Sequence, residues 1–154
     1  MKNVYHFTSK HFQNDILRDG QILTEREKLN KNLELCRDTS IPKEWRRHTL
    51  ERAVLLKTSY KLLGSYVWFT QNPEGVATAT GNDCVFEFDA DDIGAVRWVE
   101  VMKTLTSKKQ KRHLKSLMDI AIEEGDDPRD WWVTRKSVSV EKCICLHTNE
   151  RLVA

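Results

Sequence analysis

The chain of 154 residues lacks the marks of several protein classes. No run of about 20 apolar residues is available to cross a bilayer, and the start, MKNVYHFTSKHF, lacks the apolar segment of a signal peptide. Net charge is only +2, from 25 Lys and Arg against 23 Asp and Glu, so the whole molecule has no strong field for nucleic acid or anionic lipid. These absences predict a soluble cytoplasmic protein with no membrane partner, in which any polyanion site is local.

Metal and phosphate-loop signatures are also absent. The cysteines, Cys36, Cys84, Cys143 and Cys145, form no C-x-x-C pair, so no zinc site is expected and all four are predicted to be free thiols in a reducing compartment. The sequence has no glycine-rich phosphate loop, G-x-S-x-G or H-E-x-x-H motif. Rossmann, P-loop and zincin chemistries are therefore disfavoured, and no metal is expected.

The sequence does contain strand and helix patterns that alternate along one domain, residues 1–154. Helices are predicted between Ser9 and Gly20, from Pro42 to Leu63 and from Thr106 to Glu124, because apolar residues recur at spacings of three and four. Strands are predicted over NVYHFT, SYVWFT, CVFEFD, AVRWVEVM, WWVT and SVSVEKCICLH. The fold class is α+β, with a mixed or antiparallel sheet and a helical insertion at about 24–64.

The polar segment from Thr24 to Ile41 has no firm period. It is a candidate mobile loop, with a weak amphipathic helix over TEREKLNKNLELC as the alternative. Its role stays open: it could be a lid, an acceptor-recognition loop or simply a flexible segment.

His6 is the first candidate functional residue. A strand histidine flanked by aromatic residues and Thr8 offers a ring donor and acceptor to a sugar hydroxyl, and the aromatic strand YVWFT offers a flat stacking surface. The alternative is structural, because strand histidines and aromatic strands more often belong to the core. The residues alone leave both readings open.

The order of three motifs adds a resemblance. YHFTSKHFQNDILRDGQI, then YVWFTQNPEGVATATG, then DWWVTRKSVSVEKCI together resemble the NAD-dependent ADP-ribosyltransferase fold. The similar branch carries a His-Tyr-Glu triad and includes poly(ADP-ribose) polymerases, diphtheria-type toxins and RNA 2′-phosphotransferases. The resemblance implies a split sheet, NAD as co-substrate, and transfer of ADP-ribose to a protein or nucleic-acid acceptor.

The resemblance also implies roles for individual residues. His6 would hydrogen-bond the adenosine-side ribose of NAD, and the backbone of Phe7 would hold the nicotinamide amide. Trp68 stands at the usual stacking tyrosine, with Tyr66 two residues earlier on the same face, and Pro73 to Thr80 would be a small helix beside the pocket. The implied NAD-binding set is His6, Phe7, Thr8, Tyr66, Trp68 and Thr70.

The third motif supplies the candidate catalytic carboxylate. The family places a glutamate at the start of a late strand, where it anchors a ribose hydroxyl and stabilises developing positive charge. Here that position is Asp130, one methylene shorter, and Glu141 and Glu124 are the other candidates. Without the resemblance, Asp130 in DDPRD reads as a turn residue.

Two other functions stay open from the sequence. One is a catalytically inactive module of the same fold that binds a nucleotide, nucleic acid or protein partner, and the other is a small nuclease or toxin acting through His6, His11 or His113. Whether an antitoxin or regulator controls the protein is also open.

A basic run in the helix after Thr106 could contact phosphates, although such runs usually form a solvated face. The run contains Lys108, Lys109, Lys111, Arg112, His113 and Lys115.

Overall fold

A computed structural model describes residues 2–74 and 83–148, and for 145–148 it describes the backbone alone. These residues form one small α+β unit with eight strands and six helices. The strands are β1 (Asn3–Thr8), β2 (Gln21–Ile22), β3 (Val67–Thr70), β4 (Cys84–Asp89), β5 (Val96–Arg97), β6 (Trp131–Thr134), β7 (Val138–Ser139) and β8 (Cys145–Thr148). The helices are α1 (Lys10–Asp19), α2 (Glu25–Arg37), α3 (Lys43–Leu63), α4 (Ala90–Ile93), α5 (Trp98–Thr104) and α6 (Lys108–Glu123).

Six of the strands form one sheet in the order β5-β6-β3-β1-β4-β8, and β2 pairs with β7 in a second sheet. Every pairing is antiparallel, which agrees with the expected α+β class and settles the choice between mixed and antiparallel pairing. The His6 strand and the WWVT strand both neighbour β3. The three motif strands are therefore adjacent in space.

The large sheet has a core cluster on each face. Side chains alternate between faces along a strand, so Val67 and Phe69 of β3 join one cluster with Phe86 and Phe88. Tyr66 and Trp68 turn to the opposite face, where they pack with a second cluster. That second cluster contains Trp98, Val101, Leu114, Ala121, Trp131 and Val133.

Three predicted helices are confirmed. Ser9 caps α1 by accepting a hydrogen bond from the Phe12 amide, and Gly20 follows it in the left-handed conformation. Helix α3 follows Pro42 and ends before Gly64. Helix α6 buries Leu114 and Ala121, but Ile122, expected on the same stripe, is 58% exposed and lies one residue before the end of the helix.

The prediction of a mobile loop over 24–41 is wrong for most of that segment, since residues 25–37 form α2, and the alternative of a helix over TEREKLNKNLELC is confirmed. The polar segment does contain a signal for the start of a helix. Thr24 is the N-cap, and its side-chain oxygen accepts a hydrogen bond from the Glu27 backbone amide at 3.3 Å. Thr24-Glu25-Arg26-Glu27 matches the S/T-x-x-E capping pattern. Helix α2 packs along α3, which stabilises a sequence with little apolar periodicity of its own.

Two strand predictions are also corrected. The run AVRWVEVM is a strand only at Val96–Arg97, because Trp98 and Val101, three residues apart, bury one face of a helix there. The closing run is interrupted by a 3-10 turn at Val140–Lys142. The expected small helix over 73–80 falls largely outside the described residues.

Cys36, Cys84 and Cys143 form no disulfide, as predicted, and the Cys145 side chain lies outside the described part of the chain. Burial raises the pKa of the Cys84 thiol to about 11, so this sulfur stays protonated and packs as a small apolar group. No helix among the described residues combines the length and the apolar composition that spanning a membrane requires.

Candidate functional site

A cavity of about 340 Å³ opens where β1 and β3 separate. Six residue pairs join β1 to β4, from Asn3 opposite Asp89 to Thr8 opposite Cys84. Between β1 and β3, both fully described, the single paired position is Tyr5 opposite Thr70. The sheet is therefore split beyond that pair. The edge of residues 6–8 that faces β3 forms no further strand pairing with β3.

The cavity brings together five of the six residues expected to bind NAD. His6 and Phe7 come from β1, and Tyr66, Trp68 and Thr70 come from β3 or the residue before it. Thr8 is buried and does not line the cavity. The remaining lining residues are Tyr5, Ile22, Leu23, Glu25, Lys28, Leu63, Val67, Phe69, Leu117 and Trp131.

His6 spans the split with its side chain. Its Nδ1 lies 2.8 Å from the Trp68 carbonyl oxygen, and its ring meets Phe69 edge-on at 5.7 Å between centroids. A carbonyl oxygen only accepts, so Nδ1 carries the proton and Nε2 is left as an acceptor. Burial lowers the pKa of His6 to about 4, with the positive charge of Lys28 adding to the decrease. The imidazole is therefore neutral at physiological pH.

Trp68 belongs to a packed aromatic wall. Trp98 lies 4.6 Å away between ring centroids, while Tyr66 and Trp131 meet Trp68 edge-on at 5.9 and 5.8 Å. Contacts of this kind fix the ring in one orientation. Part of Trp68 stays exposed to the cavity, so a preformed aromatic surface borders it.

Thr70 also lines the cavity, but its hydroxyl is occupied. The Thr70 Oγ1 accepts a hydrogen bond from the Asn72 amide at 3.1 Å, in a local turn that ends β3. Thr70 therefore fixes the end of the strand opposite Tyr5, where the split begins.

Asp130, the predicted catalytic carboxylate, does not line the cavity. Its Oδ1 accepts from the Gln71 amide nitrogen at 3.0 Å, and the Gln71 side-chain oxygen accepts from the Trp132 indole at 3.1 Å. The physical reason is local: Asp130 ends a 3-10 turn, Pro128–Asp130, before β6, and the Gln71 side chain links its carboxylate to the Trp132 indole. The two alternatives, Glu124 and Glu141, are exposed and also lie outside the lining.

The cavity contains charged residues that the sequence interpretation missed. Glu25 and Lys28, from the first turns of α2, line it together. They form an ion pair at 3.6 Å, with side-chain exposures of 21% for Glu25 and 45% for Lys28. The capping pattern at Thr24 was the available signal, but only the packing of α2 shows that these side chains reach the His6 site.

The other candidate features lie apart from the cavity. His11 and His113 are exposed and do not line it. The basic run at the start of α6 is exposed throughout. Within the described ranges, no group of three or more His, Cys, Asp or Glu side chains is arranged to hold a metal ion.

Neither a protein-family model, a curated protein nor a solved structure matches the chain. The chemistry of the cavity residues is therefore what bears on function. That chemistry combines a neutral imidazole acceptor, an aromatic wall, an unpaired strand edge and one Glu-Lys pair, in a volume within the usual range of about 300–1,000 Å³ for small-molecule sites.

Proposed function

We propose that the protein is an NAD-dependent ADP-ribosyltransferase that transfers ADP-ribose from NAD to a macromolecular acceptor, either a protein or a nucleic acid. The split between β1 and β3 carries this proposal. It gathers His6, Phe7, Tyr66 and Trp68 around one cavity, and these residues come from two motifs separated by about sixty positions. The resemblance of those motifs to the His-Tyr-Glu transferases assigns the same residues to NAD.

The cavity groups suit the parts of NAD. The His6 Nε2 accepts a hydrogen bond from a ribose hydroxyl, because Nδ1 is engaged with the Trp68 carbonyl. The backbone edge at Phe7 suits the nicotinamide amide, which is both donor and acceptor. The exposed part of Trp68 packs on the nicotinamide ring. The reaction breaks the bond between C1′ of the ribose and nicotinamide, which leaves with the bonding electron pair, and joins C1′ to an acceptor nucleophile that releases a proton to water.

The first test is nicotinamide release. Purified protein is incubated with labelled NAD and with protein, DNA or RNA acceptors, and both nicotinamide and acceptor-bound ADP-ribose are measured. We expect release by the wild type and a loss of at least about 100-fold in His6→Ala. His11→Ala is the matched control, since His11 is exposed and outside the cavity. Absence of both products from the wild type with every acceptor would refute the transferase.

A second candidate function rests on the placement of Asp130. Its carboxylate is hydrogen-bonded to Gln71 and does not line the cavity, which favours a catalytically inactive module that binds a nucleotide, nucleic acid or protein partner. Calorimetry separates the two functions. Saturable NAD binding without nicotinamide release supports the binding module, whereas turnover rules it out.

We also propose a cytoplasmic location, where NAD is available and a reducing environment suits cysteines that form no disulfide, such as Cys36 and Cys84. An antitoxin or regulatory protein is a proposed partner. Cell fractionation and co-purification of the tagged chain test these two points.

A further inference from the structure

We propose that Glu25, on helix α2, is the catalytic carboxylate of this site and that Lys28 binds the pyrophosphate of NAD. This inference rests on the proposed transferase function. Among the described residues that line the cavity, Glu25 supplies the one carboxylate. Asp130, Glu124 and Glu141, which sequence position favours, do not reach it.

The backbone on both sides of Glu25 is held in place. The Thr24 amide donates to the Ser137 hydroxyl at 3.1 Å, and the Arg26 amide donates to the Ser65 hydroxyl at 3.0 Å. Ser65 directly precedes Tyr66 of the cavity, and Ser137 directly precedes β7. Thr24 itself is almost fully buried. Glu25 therefore extends from a fixed point that is tied to the same strand region as the aromatic wall.

The charges around Glu25 match the parts of the substrate. Lys28 pairs with Glu25 and its positive charge is also felt by His6, so the carboxylate, the ammonium and the imidazole share one environment. Lys28 is the more exposed of the pair, which leaves its ammonium accessible to a pyrophosphate. Glu25 also lines the cavity and is less exposed, so its carboxylate is the better shielded partner for a ribose hydroxyl.

A carboxylate at this position serves the bond-breaking step. As the bond from C1′ to nicotinamide breaks, its electron pair neutralises the pyridinium and positive charge grows on the ribose. Glu25 accepts a hydrogen bond from a ribose hydroxyl and stabilises that positive charge more strongly in the transition state than in the ground state. The acceptor nucleophile then bonds to C1′ and releases its proton to water. Glu25 is unchanged at the end.

The test compares Glu25→Gln with Glu27→Gln. Both variants remove one negative charge from the first turn of α2 and so lose the same favourable interaction with the helix dipole. Glu27 is exposed and does not line this cavity. The measurements are the NAD dissociation constant by calorimetry, the rate of nicotinamide release, and the thermal midpoint.

We expect Glu25→Gln to lower the release rate by about 100-fold or more while the dissociation constant for NAD changes by less than about threefold. Glu27→Gln should behave as wild type, and Lys28→Gln should mainly weaken NAD binding. Should Glu25→Gln be less stable than Glu27→Gln, Glu25→Asp keeps the charge and should retain more activity than Glu25→Gln.

Two results would overturn the inference in distinguishable ways. An active wild type whose Glu25→Gln variant keeps its rate, with Asp130→Asn losing it instead, refutes the role of Glu25 and leaves the transferase intact. A wild type that releases no nicotinamide refutes the proposed function, and the role of Glu25 falls with it.

Discussion

At the scale of single residues, His6 has a structural role that is compatible with its proposed role in NAD binding. Its Nδ1 replaces a backbone donor that the divergence of β1 from β3 removes, by bonding the Trp68 carbonyl. The same bond fixes the ring so that Nε2 is an acceptor. The two readings that the sequence left open for this histidine are therefore compatible.

The lowered pKa of His6 predicts a pH dependence of stability. His6 binds its proton near pH 6.5 in the unfolded chain and near pH 4 in the folded chain. The contribution of His6 to the free energy of unfolding is therefore complete above about pH 6.5 and is lost as the pH falls toward 4. The loss amounts to about 3 kcal/mol. Urea unfolding of wild type and His6→Asn between pH 4 and 8 measures it. The difference between the two curves isolates His6, and parallel curves would contradict the prediction.

At the scale of elements, much of the framework follows from local sequence. The Ser9 cap, Pro42 with Gly64, and the apolar spacing around Leu114 each define a helix, because the signals lie within one or two turns. The run around Trp98 is predicted as a strand because it contains aromatic and β-branched residues. It forms a helix instead, because Trp98 and Val101 are buried together in the second core cluster. The neighbouring residues in the sequence give no sign of that cluster.

The placement of the site follows from packing that local sequence does not encode. His6 and Trp68 are predicted as site residues, and the cavity contains both. Glu25 is not predicted as a cavity residue, because its place there depends on α2 docking against the Ser65 and Ser137 hydroxyls, which lie 39 and 113 positions from their donors. Asp130 is predicted from its position before WWVT, but it lies in the 3-10 turn Pro128–Asp130, where its carboxylate bonds Gln71 and does not line the cavity.

The junction between α3 and β3 provides an element-scale prediction. Gly64 has φ +82°, and a Cβ there would lie 2.6 Å from Tyr66 Cε2. Gly64→Ala should lower the free energy of unfolding by about 2–4 kcal/mol, from strain in a positive-φ region almost confined to glycine and from overpacking, and should weaken NAD binding by displacing Tyr66. Gly20→Ala, with φ +71° in the left-handed helical region and no atom within 4 Å, is the control for a positive φ without a close contact and should cost about 1 kcal/mol. Denaturant unfolding compares them, and equal losses would contradict the close contact.

At the scale of the whole molecule, the two core clusters lie on opposite faces of one sheet and meet at β3. The cavity borders the same strand, since Val67 and Phe69 line it from one cluster and Tyr66 from the other. A ligand bound there contacts residues that hold both halves of the core. Binding at the split should therefore stabilise the complete fold and not one edge of it.

This coupling predicts that NAD raises the thermal midpoint in a single transition. At an NAD concentration of about 100 times the dissociation constant, binding adds about 2.7 kcal/mol to the free energy of unfolding. For a chain of this length, that corresponds to a rise in the thermal midpoint of about 5–10 °C. Asp130→Asn should keep the rise, because Asp130 lies outside the cavity, whereas Trp68→Ala should lose it. Calorimetric scans with and without NAD measure both. The contradicting outcome is a scan with two transitions, of which NAD raises the midpoint of only one. That result would show that the two clusters unfold independently, although both adjoin the strand that borders the cavity.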